Sequence, residues 1–324
     1  MDEARLHPSL LTPATVLSDG RDDDRCWLLV DLNQWPAAVP IDPLPPVPLI
    51  GIGPADHPLA ARLDVMIEPG FSLAGLAARI EANPLASAAL VQLLRTTESL
   101  DPAAALTMES MAYAMLQGGA EHARWQAARP PAPLAPPGEL HVARDGEQLD
   151  LMLDRPHALN AIDRGLRDAL FDAFTLAALD ESIAAIRLRG IGRAFSVGAD
   201  LGEFGTTRDP VEAHAIRART LPAWPLLRRS GVLEVHVQGA CVGSGLELAA
   251  FGGRVTAAAG AWFHLPETGM GILPGFGGTV SIPRRIGRQR AALLMLSGKR
   301  IDARTALRWG LIDAIVDDPP ADQG

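Results

Sequence analysis

The chain has 324 residues, 48% hydrophobic and 21% charged, with a formal net charge of −9 at pH 7. That size and apolar content fit one large domain, or a medium domain with a smaller partner. The acidic balance argues against general nucleic-acid binding; no run of 18 apolar residues is present to span a membrane; and the acidic opening MDEARLHPSL does not read as a secretory signal.

Two cysteines, Cys26 and Cys241, supply neither a disulfide framework nor a metal-ligand cluster. No metal is expected, and a reducing cytoplasm is the expected compartment. Lys299 is the only lysine, so no Schiff-base or phosphate-loop lysine exists elsewhere.

In chain order, three strands are predicted first, at 26–32, 47–53 and 63–68. Three helical patterns follow near 72–82, 84–97 and 102–117. Asp101 is placed as an N-cap with Pro102 at the first helical position, and Gly118–Gly119 as a stop. No catalytic constellation is visible in this part. Glu68, Glu98, Glu109 and His122 read as solvated or capping residues. The stretch ARPPAPLAPPGEL, with five prolines over 128–140, reads as a stiff linker. It divides an extension, 1–128, from a larger part, 139–324, across a linker at 129–138.

The larger part alternates strand and helix. Residues 140–156 read as a hairpin turning at Asp145–Gly146. A helix is predicted over 164–179, strands over 183–192 and 232–239, and a glycine-led helix from 243. This alternation predicts an α/β fold with a largely parallel sheet.

Four stretches carry candidate chemistry. In CVGSGLELAAFG (241–252), a glycine-rich helix start leaves backbone N–H groups free to bind an anion or a developing oxyanion. Glu247 sits in its first turn; Ser244 and Glu247 also have capping-box spacing, a purely structural alternative. In FHLPETGMGILPGFGGT (263–279), glycines and prolines make an irregular surface that can hold Glu267 toward a cleft. RGIGRAFSVGADL (189–201) is a loose glycine loop that matches neither a P-loop nor a dinucleotide fingerprint. In LDRPHALNAI (153–162), a strand ends and Asn160 or Asp163 caps the next helix.

Together and in this order, these stretches closely resemble the crotonase superfamily, the enoyl-CoA hydratase/isomerase family. The resemblance covers about 140–317. It implies a crotonase-like spiral (ClpP/crotonase) core of stacked ββα units, here with an N-terminal α/β extension rich in helices. It implies an acyl-CoA thioester as substrate and no separate cofactor. Its carbonyl is to be polarised by the backbone N–H groups of Val197 and Ser244. Glu247 and Glu267 map to the acid/base pair of hydratases. Contacts to substrate or CoA are placed at Arg155, His157, Ala158, Arg193, Gly198, Ala199, Asp200, Leu201 and Gly243. A homo-oligomer, trimer or hexamer, is expected by the same resemblance.

Some features depart from that pattern. Ser244 replaces a usual glycine, and Val197 is bulkier than the usual alanine. Glu234 and His236 interrupt a normally apolar strand, either as a buried pair or on a wet face. Glu203 and His264 are weaker extra candidates. The helical tail usual in relatives is not found after 317, whereas residues 71–130 look like it. A permuted order is therefore expected, with those helices beside the Glu247–Glu267 cleft. The functional expectation is hydration of a 2-enoyl-CoA. The alternatives are double-bond isomerisation, hydrolysis or lysis of a CoA ester with one glutamate, and non-catalytic acyl-CoA binding.

Overall fold

The computed structural model describes residues 10–12, 25–130, 135–207 and 209–316. The acidic opening, the middle of the proline-rich linker and the closing PPADQG lie outside the described residues. Three short parallel strands come first: β1 (Leu28–Asp31), β2 (Leu49–Ile52) and β3 (Val65–Met66), in that order in one sheet. Four helices follow: α1 (Leu73–Ala82), α2 (Pro84–Thr97), α3 (Pro102–Gln117) and α4 (Ala120–Ala127). The first three match the predicted spans; α4 was not foreseen. Asp101 caps α3 through the N–H groups of Ala103 and Ala104, with Pro102 at the start and Gly118 at the end.

The larger part builds two sheets. Strands β4 (Glu139–Asp145) and β5 (Gln148–Asp154) form the predicted hairpin. Asp145 pairs with Gln148, so the two-residue turn is Gly146–Glu147, one position later than expected. Helix α5 (Arg164–Leu179) then crosses to β6 (Ala185–Gly190), parallel to β5. Next come α6 (Pro210–Thr220), α7 (Ala223–Leu226), β7 (Leu233–Val237), β8 (Ala240–Val242) and α8 (Ser244–Ala249). The chain continues through β9 (Arg254–Ala257), β10 (Trp262–His264), α9 (Gly278–Ile286) and α10 (Arg288–Ser297). It then adds β11 (Ile301–Asp302), α11 (Ala303–Trp309) and β12 (Ala314–Ile315).

The large sheet runs β12-β9-β7-β6-β5-β4, and the small one β11-β10-β8. Consecutive strands β7 and β8, then β9 and β10, each give one member to each sheet before the chain turns helical. This is the stacked ββα pattern.

Side-chain alternation with period two explains which face of the large sheet is dry. Leu149, Leu151, Leu153, Ile186, Leu188, Val235 and Val255 point into the core. Arg187, Glu234, His236 and Thr256 lie on the other face. Glu234 is exposed, 3.5 Å from Arg187, and His236 Nδ1 meets Thr256 Oγ1 at 3.0 Å. Glu234 and His236 therefore mark a wet face and are not a buried pair.

The proline-rich stretch does not separate two bodies. One apolar core runs from Trp27, Leu90 and Leu106 to Leu151, Phe174, Phe263 and Leu293. Helix α1 packs on α10, and α3 packs on α6 and α9. Polar ties cross the same boundary. Buried Asp64 takes Arg95 from α2 and Arg288 from α10. Glu68 accepts from Arg290 Nε at 2.6 Å and from Trp309 Nε1 at 2.9 Å.

Candidate active site

Helix α8 starts where β8 ends, at Gly243, whose φ of +48° places it in the left-handed region. That backbone turn excludes side chains: a Cβ on Gly243 would sit 2.6 Å from Glu267 Oε1. No side chain caps the helix, so the capping box of Ser244 and Glu247 does not form. Glu247 instead turns away from its own helix start. Its Oε2 accepts from the Phe276 N–H at 2.6 Å and the Gly278 N–H at 2.8 Å. The free acceptor for the Ser244 N–H is therefore supplied by no described residue. Ser244 lines a cavity of about 480 Å³.

The second loop of the cavity wall is 197–201. Gly198, at φ +90°, comes so close to α8 that a Cβ there would lie 2.9 Å from the Val242 carbonyl and 3.4 Å from Ser244 N. The expected oxyanion donor in this loop, Val197, has a partner within the chain. The Val197 N–H donates to the Leu159 carbonyl at 3.1 Å and is not free. Neighbouring amides are occupied as well: Gly198 N–H donates to Ser196 Oγ at 3.1 Å, and Asp200 N–H to the Ile162 carbonyl at 2.9 Å. Among the described residues, nothing accepts from the Ala199 N–H, and Ala199 lines the cavity. Ala199 in this loop and Ser244 in the other are cavity-lining residues whose N–H groups have no acceptor among the described residues.

Glu247 and Glu267 both line this cavity and are 2% and 8% exposed. Glu267 opens a short 3-10 turn, Glu267–Met270, and its buried Oε2 has no partner among the described residues. An unpartnered buried carboxylate oxygen is costly unless it holds a proton or a ligand. Burial pushes the Glu267 carboxyl up to about 8. Burial, then the nearby Glu267, raises Glu247 well above the usual carboxylate range; the two backbone donors oppose this only in part. Such a pair keeps a proton near neutral pH while one member can be ionised.

A third buried carboxylate was missed. Glu109 of α3, read from sequence as solvated or capping, is 1% exposed. It does cap a helix, but one in the other part of the chain: its oxygens take the N–H groups of Gly277 and Thr279 at the start of α9. Nothing local signals this, because the partners are 168 and 170 positions away. Tyr113, one turn further along α3, lines the cavity, and the Arg217 guanidinium lies 3.7 Å from its ring centroid. Trp125 and Phe204 complete an aromatic wall, edge to face at 5.9 Å.

The remaining sequence candidates divide. Gly198, Ala199, Asp200, Leu201, Gly243 and Glu203 line the cavity with Val197 and Ser244. Arg155 does not. It is 1% exposed, with its guanidinium on the carbonyls of Pro136 and Ala161 and 2.7 Å from Asp200. It is a structural clamp and cannot reach a ligand. His157 and Arg193 are exposed, and His157, Ala158 and Arg193 all lie off the cavity wall. His264 also lies off it, bonded through Nε2 to the Gly298 carbonyl at 2.9 Å. Asn160 locks the loop instead, donating to the carbonyls of Ile191 and Ala194. Among the described residues, the cationic side chains that do line the cavity are Arg164, Arg167 and Arg217.

Comparison with known proteins agrees with this architecture. Residues 148–322 match the family model described as enoyl-CoA hydratase/isomerase. The 2,3-dehydroadipyl-CoA hydratase of Escherichia coli (strain K12) is 35% identical over 178 residues, 55% of this chain and 69% of that protein. A probable enoyl-CoA hydratase, echA8, of Mycobacterium bovis is 36% identical over 182 residues, 56% of this chain and 68% of that one. Among solved structures, Pseudomonas aeruginosa AtuE superposes with a TM-score of 0.51 at 32% identity, covering 56% of this chain and 71% of that one.

Proposed function

The chain belongs to the enoyl-CoA hydratase/isomerase family, and from that premise we propose that it hydrates a 2-enoyl-CoA thioester. The observation that carries this reading is one cavity wall that holds two buried carboxyls, Glu247 and Glu267, beside Ala199 and Ser244, whose backbone N–H groups have no acceptor among the described residues.

The thioester oxygen sits between the N–H groups of Ala199 and Ser244. As water adds to Cβ, negative charge moves through the conjugated system onto that oxygen. Donors fixed in place before the reaction stabilise it without reorganising. Glu247, oriented by the Phe276 and Gly278 N–H groups, takes a proton from the water. Glu267, with its unpartnered Oε2, carries the proton given to Cα. One O–H bond of water and the π bond between Cα and Cβ break, C–O and C–H bonds form, Glu247 gains a proton as Glu267 gives one up, and no electron acceptor or separate cofactor is needed. CoA is the carrier of the substrate. The aromatic side of the cavity, Tyr113, Trp125 and Phe204, receives the acyl chain. Arg164 and Arg167 take the place of Arg155 and Arg193 as candidates for CoA phosphates.

The test is loss of conjugated thioester absorbance with a panel of 2-enoyl-CoA esters. Glu247→Gln and Glu267→Gln are each expected to lower kcat by about 10²–10⁴. Full activity in Glu267→Gln would move the assignment to an isomerase or another one-glutamate reaction of the family.

A further inference from the structure

The start of α9 serves two carboxylates at once. Four consecutive backbone N–H groups alternate between them. Phe276 and Gly278 donate to Glu247 Oε2 at 2.6 and 2.8 Å. Gly277 donates to Glu109 Oε1 at 2.7 Å, and Thr279 to Glu109 Oε2 at 2.8 Å. The Thr279 hydroxyl adds a third bond to Glu109 at 2.7 Å. A helix start has unpaired N–H groups and a partial positive charge, so it suits carboxylates. Here the turn is shared, and neither acid can shift without moving donors that hold the other.

The same helix braces the segment a second time. A Cβ on Gly275 would lie 2.1 Å from the Tyr113 ring, so that ring rests directly on the backbone. Gly277, at φ +101°, and Gly278, where a Cβ would lie 2.5 Å from Glu247 Cγ, leave room for no alternative path. Glu109 and Tyr113 thus clamp 275–279 from α3, which lies outside the stretch that matches the family model.

We propose that Glu109 is a positioning residue for Glu247: through the shared Phe276–Thr279 turn, it fixes the carboxylate that handles water. This rests on the reading of Glu247 as a reacting group. The charge of Glu109 also reaches both acids, raising Glu247 and Glu267 when it is ionised. Burial raises Glu109 itself to about 7. The groups facing it are Thr279 of α9, Arg217 of α6, Glu247 of α8 and Glu267 of the 3-10 turn, while Tyr113, one turn along its own helix, neighbours Arg217, Glu247 and Glu267.

The experiment compares wild type, Glu109→Gln, Glu109→Asp and Glu247→Gln in enoyl-CoA hydration across pH. Misplacing a reacting group by about 1 Å costs on the order of 10²-fold. Both Glu109 variants are therefore expected to lose kcat by about tenfold to hundredfold, with KM changed by less than about threefold. Glu109→Gln removes a charge, so its high-pH limb moves to lower pH; Glu109→Asp keeps the charge and the limb stays. A general loss of structure would not separate the two variants in this way. Wild-type kcat and pH profile in both, with Glu247→Gln inactive, would overturn the proposal and leave the hydratase reading standing. An active Glu247→Gln would instead remove the reading on which it rests. If no ester turns over, the infrared carbonyl stretch of the protonated acids is titrated. Deprotonation at lower pH in Glu109→Gln is expected, and an unmoved titration overturns the proposal. Should Glu109→Gln fail to fold, Thr279→Val removes one donor and keeps all three acids. A smaller fall in kcat with KM retained supports the proposal, and unchanged kcat overturns it.

Discussion

Whether a backbone N–H is free decides the chemistry around residues 197–199. Val197 donates to Leu159, which follows the 156–158 turn, whereas the Ala199 N–H has no acceptor among the described residues and Ala199 lines the cavity. Gly198 lies between them and sets how closely the loop approaches Ser244. Gly198→Ala places a side chain at φ +90°, at a cost of about 1–2 kcal/mol. It also pushes a methyl against the Val242 carbonyl beside the Ser244 N–H. Hydration kcat is expected to fall by about 10²–10³, as when one oxyanion donor is lost. Steady-state kinetics beside a urea melt separates that loss from the stability cost. Glu267 brings a pH signature. Burial holds its proton up to about 8, so a reaction that needs that proton loses rate as pH rises through about 8. A pH–kcat profile still flat well above that range would contradict the role of Glu267 as proton donor.

Among the elements, α5 and the loop before it show how a basic residue is removed from ligand binding. Asp163 caps α5 through the Leu166 N–H at 2.8 Å and also accepts from the Gly138 N–H at 2.8 Å. Arg155 lies against Asp163 and Asp200 and satisfies carbonyls from both sides of the 155–161 turn. Removing one partner of such a buried network commonly costs about 3–5 kcal/mol. Arg155→Ala is expected to lower stability by that order in urea unfolding. Weakened acyl-CoA affinity at an unchanged unfolding midpoint would restore the direct contact first expected of it. Helix α3 presents the contrasting case. Its ends are set locally by Asp101, Pro102 and Gly118, yet its functional side chains, Glu109 and Tyr113, gain their roles only from α9 and α6.

For the whole molecule, three carboxyls buried in one continuous core set how stability responds to pH. Glu109 and Glu267 are raised from 4.5 to about 7 and about 8, and Glu247 is raised as well, all chiefly by burial. The native state therefore binds more protons than the unfolded chain between about 4.5 and 8. The stabilisation this brings is complete below about 4.5 and is lost as pH rises toward 8. Urea midpoints are expected to fall from pH 5 to pH 8, and Glu267→Gln, which cannot ionise, is expected to flatten that slope. An equal slope in both proteins would show that Glu267 is not a buried acid. Much of this molecule is legible in the sequence, because periodicity, caps and glycine turns act over a few residues. The spans of α1, α2 and α3, the hairpin, and the glycine-led α8 carrying Glu247 are all of that local kind. The ordered motifs likewise placed Glu247 and Glu267 on one cavity. What only the tertiary structure decided depends on partners far apart in the chain. The Val197 N–H has a partner, the Ala199 N–H has none among the described residues, Arg155 is sealed beneath its loop, and Glu109 crosses 168 positions to share a helix start with Glu247. Hydrogen-bond satisfaction and burial are properties of the assembled core, so no local pattern could have announced them.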